Sequence, residues 1–123
     1  MKDTYIFGIS CFYHDSAACL LKNGNIIAAA QEERFTRIKH DNSLPINSIN
    51  FCLKYANIKI SNINYIGFYE KPILKFDRIL STFTKTYPKS LNSFCNAIPS
   101  WLTQKLRVRN TIRKKLNYKN EII

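Results

Sequence analysis

Gly8-Ile9-Ser10-Cys11-Phe12-Tyr13-His14-Asp15-Ser16-Ala17-Ala18 is the stretch on which the reading of the fold turns. An apolar run, Tyr5-Ile6-Phe7, precedes it, and a second, Cys19-Leu20-Leu21, follows. A strand, a short polar turn and a returning strand make a hairpin. Its tip carries Ser10, His14, Asp15 and Ser16, all able to bind or react.

Outward from this tip, residues 4–10 and 16–22 read as the two strands, rich in β-branched, aromatic and other apolar residues. Asn23-Gly24 is a tight-turn signal, so residues 25–30 form a third strand paired with the second. The chain therefore opens with a three-stranded antiparallel meander. Its strands are nearly continuous in apolar residues, which predicts that both faces are covered.

The segment Gln31-Glu32-Glu33-Arg34-Phe35-Thr36-Arg37-Ile38-Lys39-His40-Asp41 carries dense charge of both signs, with Phe35 as its anchor. By residue type alone Glu32, Glu33, Arg34 and Arg37 read as a salt-bridged surface, worth little energy singly. Pro45 suits a helix start. Ile46, Ile49, Leu53 and Ala56 then fall at helical spacing, and that helix ends near Asn57. Residues 64–69 read as a fourth strand after a turn at Ser61-Asn62, and Glu70-Lys71-Pro72 ends it. Ile73, Phe76, Ile79, Leu80 and Phe83 predict a helix to Tyr87, stopped by Pro88. A short helix over 91–98 and a basic amphipathic helix over 101–116 follow, and residues 118–123 carry no closing signal.

The order is β-β-β-α-β-α-α-α. That is an α/β chain matching the opening of the sugar-kinase–actin (ribonuclease-H-like) fold. In that fold the loop between the first two strands approaches the phosphates of a nucleotide or acyl phosphate.

The chain has 123 residues, 46% hydrophobic and 22% charged, as expected of one modest globular domain. No apolar run approaches the roughly 18 residues of a membrane-spanning helix, and the N-terminus does not read as a signal peptide, so a cytoplasmic location is expected. Cys11, Cys19, Cys52 and Cys95 lack paired C-x-x-C spacing, which favours reduced, buried thiols over a metal site. The net charge of +11 is concentrated late, with Lys105, Arg107, Arg109, Arg113, Lys114, Lys115 and Lys119 uninterrupted by an acid. Such a patch can attract nucleic acid. No stacking aromatics are interleaved there, so a solvated helix face is favoured and a nucleic-acid partner is not expected.

Three blocks carry a family resemblance: residues 12–18, residues 28–37 (Ala28-Ala29-Ala30-Gln31-Glu32-Glu33-Arg34-Phe35-Thr36-Arg37), and Lys39-His40-Asp41. Together they resemble the amino-terminal part of the O-carbamoyltransferases of the nodulation and antibiotic-tailoring type. Phe68-Tyr69-Glu70-Lys71-Pro72 and Leu74-Lys75-Phe76-Asp77-Arg78 look like the family's next block, and the likeness runs through Trp101-Leu102.

The resemblance implies an enzyme that forms carbamoyl adenylate from carbamoyl phosphate and ATP and transfers the carbamoyl group to a hydroxyl of a small molecule. It implies that a carboxyl-terminal domain makes the adenylate. It implies as well that the kinase–actin-like domain transfers the group and holds a divalent metal, with iron expected.

The residues fit that chemistry. A hydroxyl needs a base for its proton, and an imidazole suits the role, which points to His14. Asp15 can orient that ring or bind the acceptor. Ser16 and the turn's backbone N–H groups can bind phosphate or carbamoyl oxygens. Lys39 can pair with such an oxygen as a point charge. By residue type alone, His14 could equally cap its turn.

The chain is far shorter than the family's enzymes, and the family's His-His-x-x-His motif does not occur, the only histidines being His14 and His40. No metal ligand set is visible. The expectation is an amino-terminal part (residues 1–100, with a basic helix and tail over 101–123) that is inactive alone. Further readings are one subunit of a split enzyme, completed by a separately encoded remainder, or a non-catalytic binding module with a basic tail.

Overall fold

The computed structural model describes residues 3–69, 72–100 and 107–123. Three strands open the chain: β1 (Tyr5–Ser10), β2 (Ala17–Lys22) and β3 (Asn25–Gln31). β1 and β2 pair antiparallel from Tyr5 with Lys22 to Ser10 with Ala17, and β2 and β3 pair antiparallel across the Asn23-Gly24 turn. Gly24 has φ +85°, a left-handed conformation that glycine adopts without a Cβ penalty. One bulge interrupts the second ladder: Leu20 faces Ala28 and Leu21 faces Ile26, leaving Ile27 as the extra residue.

The charged segment holds a single helical turn, α1 (Glu33–Thr36), closed by Arg37 in the left-handed region at φ 60°. Helix α2 (Ile46–Ala56) follows Pro45 and ends on Asn57, also left-handed, whose N–H returns to the Leu53 and Lys54 carbonyls. After a 3-10 turn (Ile60–Asn62), β4 (Tyr65–Phe68) pairs parallel with β1. The chain then runs through α3 (Pro72–Thr86), α4 (Leu91–Ser100) and α5 (Val108–Leu116) to β5 (Glu121–Ile122). β5 pairs parallel with β4, which completes a five-stranded sheet of order β3-β2-β1-β4-β5.

The expected meander, helix and fourth strand are therefore present. Short α1 and β5 add to the expected order. The region after residue 118 gains a strand because its ladder to β4 is parallel and non-local, and no turn chemistry announces such a pairing. The expected turn at residues 70 and 71, and the part of the basic helix at 101–106, lie outside the described residues.

The chain falls into two compact units. One holds residues 1–69 and 116–123; the other holds residues 70–115. In the first, α2 packs on β2 and β3. Phe7, Leu20, Ala28, Ile66 and Ile122 share one row across the sheet, and all are buried. Ile49 and Cys52 of α2 are buried with them. Tyr118 fastens the carboxyl-terminal return, its hydroxyl donating to the Asn64 carbonyl at 2.9 Å, and the Asn120 side-chain amide donates to the Ile63 carbonyl at 3.0 Å. In the second unit Phe83 and Phe94 stack with centroids 4.0 Å apart. Among the described residues no helix is long and apolar enough to cross a membrane.

The opposite sheet face is built of small residues. Its central row is Gly67, Gly8, Cys19 and Ala29, in register across four strands. These side chains are small, so the face is a shallow floor, and Ala29 is exposed on it.

Candidate functional site

The loop between β1 and β2 is stitched to residues 41–43. The Phe12 N–H donates to the Asn42 carbonyl and the Ser16 N–H to the Asp41 carbonyl, each at 2.8 Å. The Ser16 hydroxyl donates to the Ser43 carbonyl at 2.5 Å, and the Ser16 carbonyl accepts from the Glu32 N–H at 2.8 Å. Phe12 (φ 69°), Asp15 (φ 45°) and His40 (φ 57°) are all left-handed, a conformation that costs a non-glycine residue about 1–2 kcal/mol. The network of backbone hydrogen bonds holds them there.

The product of that folding is a carboxylate between two imidazoles. His14 Nδ1 lies 3.0 Å from Asp15 Oδ2, and His40 Nδ1 lies 2.9 Å from Asp15 Oδ1. An ionised carboxylate only accepts, so both Nδ1 atoms carry the proton and donate. In each neutral ring Nε2 is then the basic nitrogen. The hydrogen bonds from His40, and next those from His14, hold the Asp15 carboxyl below the usual carboxylate range. All three groups face solvent, with His14 61% and His40 64% exposed. Glu33 extends the cluster, its carboxylate accepting from the His40 backbone N–H at 3.4 Å.

Two acids behind the loop hold it in place. Glu32 is buried, and its carboxylate accepts from the Asn47 N–H (3.1 Å), the Asn47 amide (2.8 Å), the Ser48 N–H (2.8 Å) and the Ser48 hydroxyl (2.8 Å). It neutralises the amino-terminal end of α2, whose own first turn has no acid. The expectation of a salt-bridged surface is corrected at this residue: Glu32 is a buried helix cap, brought there by the turn of the chain through residues 37–45. Asp41 accepts from the Ser43 N–H at 2.9 Å, and contacts with Ser43 and then Thr36 hold its carboxyl below the usual range.

The sequence-derived candidates are thus divided. His14 and Asp15 meet at the tip. Ser16 is buried and its hydroxyl donates to the Ser43 carbonyl, which anchors the loop. Lys39 is exposed, one residue before His40. His40 had no assigned role from sequence; the left-handed turn at residues 37–40 folds it back onto Asp15. The signal was the Lys39-His40-Asp41 block itself, but no spacing rule links it to residue 15.

Beside the tip a groove of about 830 Å³ crosses the open sheet face. Ser10, Ala17 and Gln31 form its row nearest the loop, Gly8 and Cys19 its floor, and Phe35 and Phe51 an aromatic wall with rings 5.7 Å apart. Arg34 lines it as well. Among the described residues no group of three or more His, Cys, Asp or Glu is placed to hold a metal ion. Both histidines aim Nδ1 at the carboxylate, which leaves each Nε2 facing away from Asp15.

Comparison with known proteins adds an independent line. The family model described as "Carbamoyltransferase N-terminus" matches residues 5–122. The protein sll1178 of Synechocystis sp. (strain ATCC 27184 / PCC 6803 / Kazusa), itself uncharacterized, is 50% identical over 113 residues, 92% of this chain and 18% of the relative. Nodulation protein NolNO of Sinorhizobium fredii (strain NBRC 101917 / NGR234) is 52% identical over 58 residues, 47% of this chain and 8% of the relative. A 19.2 kDa protein of Rhizobium etli, from the syrM 5′ region, is 48% identical over 58 residues, 34% of its length. The chain spans less than a fifth of the length of the first two.

Proposed function

The chain belongs to the carbamoyltransferase N-terminal family, and on that premise we propose that it carries the transfer site of an O-carbamoyltransferase. The donor is carbamoyl adenylate, formed from carbamoyl phosphate and ATP. The acceptor is a hydroxyl of a small molecule. The observation that carries this reading is the Asp15 carboxylate accepting from His14 Nδ1 at 3.0 Å. That contact sets the tautomer and leaves Nε2 as a base facing solvent.

In the step, the acceptor oxygen bonds to the carbamoyl carbon. The bond from that carbon to the phosphate oxygen breaks, AMP leaves with the electron pair, and the acceptor's proton goes to His14 Nε2. Lys39 supplies positive charge for the phosphate, and Ser16 keeps the loop in place. The groove next to the tip offers the acceptor a floor of small residues and an aromatic wall, of a size ordinary for a ligand site.

Adenylate formation and the iron site belong, on this reading, to the length of the relatives that lies outside the stretch matched here. The family match extends through residue 122, which supports reading the basic segment over 101–123 as part of the same domain.

The test joins the chain to the remaining length of its relatives, supplies preformed carbamoyl adenylate and a polyol or aminoglycoside acceptor, and follows AMP and carbamate ester. Acceptor-dependent release of both, lost in His14→Asn, is the expected result. Equal release by His14→Asn would overturn the assignment.

A further inference from the structure

We propose that His40 is a positioning residue for His14, acting through the Asp15 carboxylate that the two rings share. The inference rests on the reading of His14 as the base and goes beyond it by assigning a role to a residue from a separate turn.

A carboxylate on an exposed loop tip rotates freely about its last side-chain torsion unless both oxygens are engaged. Asp15 is 38% exposed, and in the described contacts His14 and His40 are what engage its two oxygens. His14 is the neighbour of Asp15 in sequence, and one hydrogen bond between adjacent residues leaves the carboxylate free to pivot with the ring. The bond from His40, 25 residues away, ties Oδ1 to a different backbone segment. With Oδ1 fixed, Oδ2 has one direction left, and His14 Nδ1 lies 3.0 Å along it.

His40 is itself held. Its backbone N–H donates to Glu33 Oε2 at 3.4 Å, and the next residue, Asp41, accepts the Ser16 N–H and so joins the turn to the loop. Of the other charged residues of this turn, Glu33 contacts the His40 backbone, the Asp41 carboxylate turns to Ser43, and Lys39 precedes His40 in sequence. No metal or substrate is needed for the arrangement, so it can be read in the chain alone.

The backbone at His40 (φ 57°) dictates the variants. Glycine and asparagine both accept a left-handed conformation, so neither adds strain. Asparagine places a side-chain N–H where Nδ1 stood; glycine does not. Long-range ¹H–¹⁵N spectra of the full chain report which nitrogen of neutral His14 carries the proton.

In the wild-type chain and in His40→Asn, His14 is expected as the Nδ1–H form. In His40→Gly that preference is lost, and the two ring-nitrogen shifts move toward those of the Nε2–H form common for free imidazole. An unchanged His14 tautomer in His40→Gly, with Asp15→Gly losing it, would overturn the role of His40 while keeping the pairing of His14 with Asp15. An unchanged tautomer in Asp15→Gly as well would remove that pairing, and with it the observation on which the proposed function stands. Loss of the tautomer in His40→Asn as severe as in His40→Gly would also count against positioning by the donor.

Discussion

Glu32 closes the first turn of α2 from the far end of β3: its Oε2 accepts from both the backbone N–H and the hydroxyl of Ser48, each at 2.8 Å. The contact joins residues 16 apart in sequence and is buried. It determines where α2 begins relative to the sheet, and so where residues 37–45 must pass. That passage delivers His40 and Asp41 to the loop at residues 11–16.

Replacing Glu32 should therefore be expensive. Glu32→Ala leaves the two buried Ser48 donors without an acceptor, at about 1–3 kcal/mol for each such loss, and turns the exposed Asn47 donors to water at smaller cost. A destabilisation of about 3 kcal/mol is expected by urea unfolding, with Glu32→Gln at about half of it because one carbonyl oxygen remains. A change below about 0.5 kcal/mol in Glu32→Ala, the range of ordinary surface substitutions, would show that the cap does not hold the helix.

His14→Asn should reduce carbamoyl transfer from preformed adenylate by about 10²- to 10⁴-fold, the range for loss of a positioned general base. Stability should change little, since the ring is 61% exposed. The measurement is AMP release under single-turnover conditions, set beside an unfolding curve of the same variant.

Acid should loosen the loop. Asp41 and Asp15 both have folded-state pKa values below the usual 3.8. For a depressed carboxyl the stabilisation is full above the unfolded value and disappears as pH falls through the folded value. Stability should be flat from pH 7 to about 5 as far as these two groups are concerned and decline below about pH 4. In Asp41→Asn the chain should be less stable at pH 6, with a smaller fall between pH 6 and pH 3. Parallel pH curves for variant and wild type would contradict this.

The cysteines should separate by reactivity. Burial pushes the Cys52 thiol up to about 11, so about one in a thousand is thiolate at pH 8. Cys95 is exposed, Cys19 is half-buried in the groove floor, and Cys11 and Cys52 are buried. A disulfide reagent should modify Cys95 first and Cys19 more slowly, with Cys11 and Cys52 reacting on unfolding. An acceptor seated in the groove should protect Cys19 and leave Cys95 unchanged, which mass mapping of the labelled peptides would resolve.

What the sequence alone determined was local. The Asn23-Gly24 turn, the apolar runs around it, Pro45 before a helical repeat, and the family blocks at residues 12–18 and 28–41 were readable because each depends on neighbours in the chain. The meander, α2 and β4 follow from them. Tertiary structure alone decided the rest. Glu32 looks like a surface acid until the chain buries it on the end of α2. Ser16 looks like an open polar residue of the tip until burial brings its hydroxyl onto the Ser43 carbonyl. Residues 121–122 look like a tail until they find β4. His40 looks idle until three-dimensional closure places it on Asp15. In each case the deciding partner lies many residues away and is met only after the backbone has turned back on itself, a contact that hydrophobic periodicity and turn chemistry do not encode.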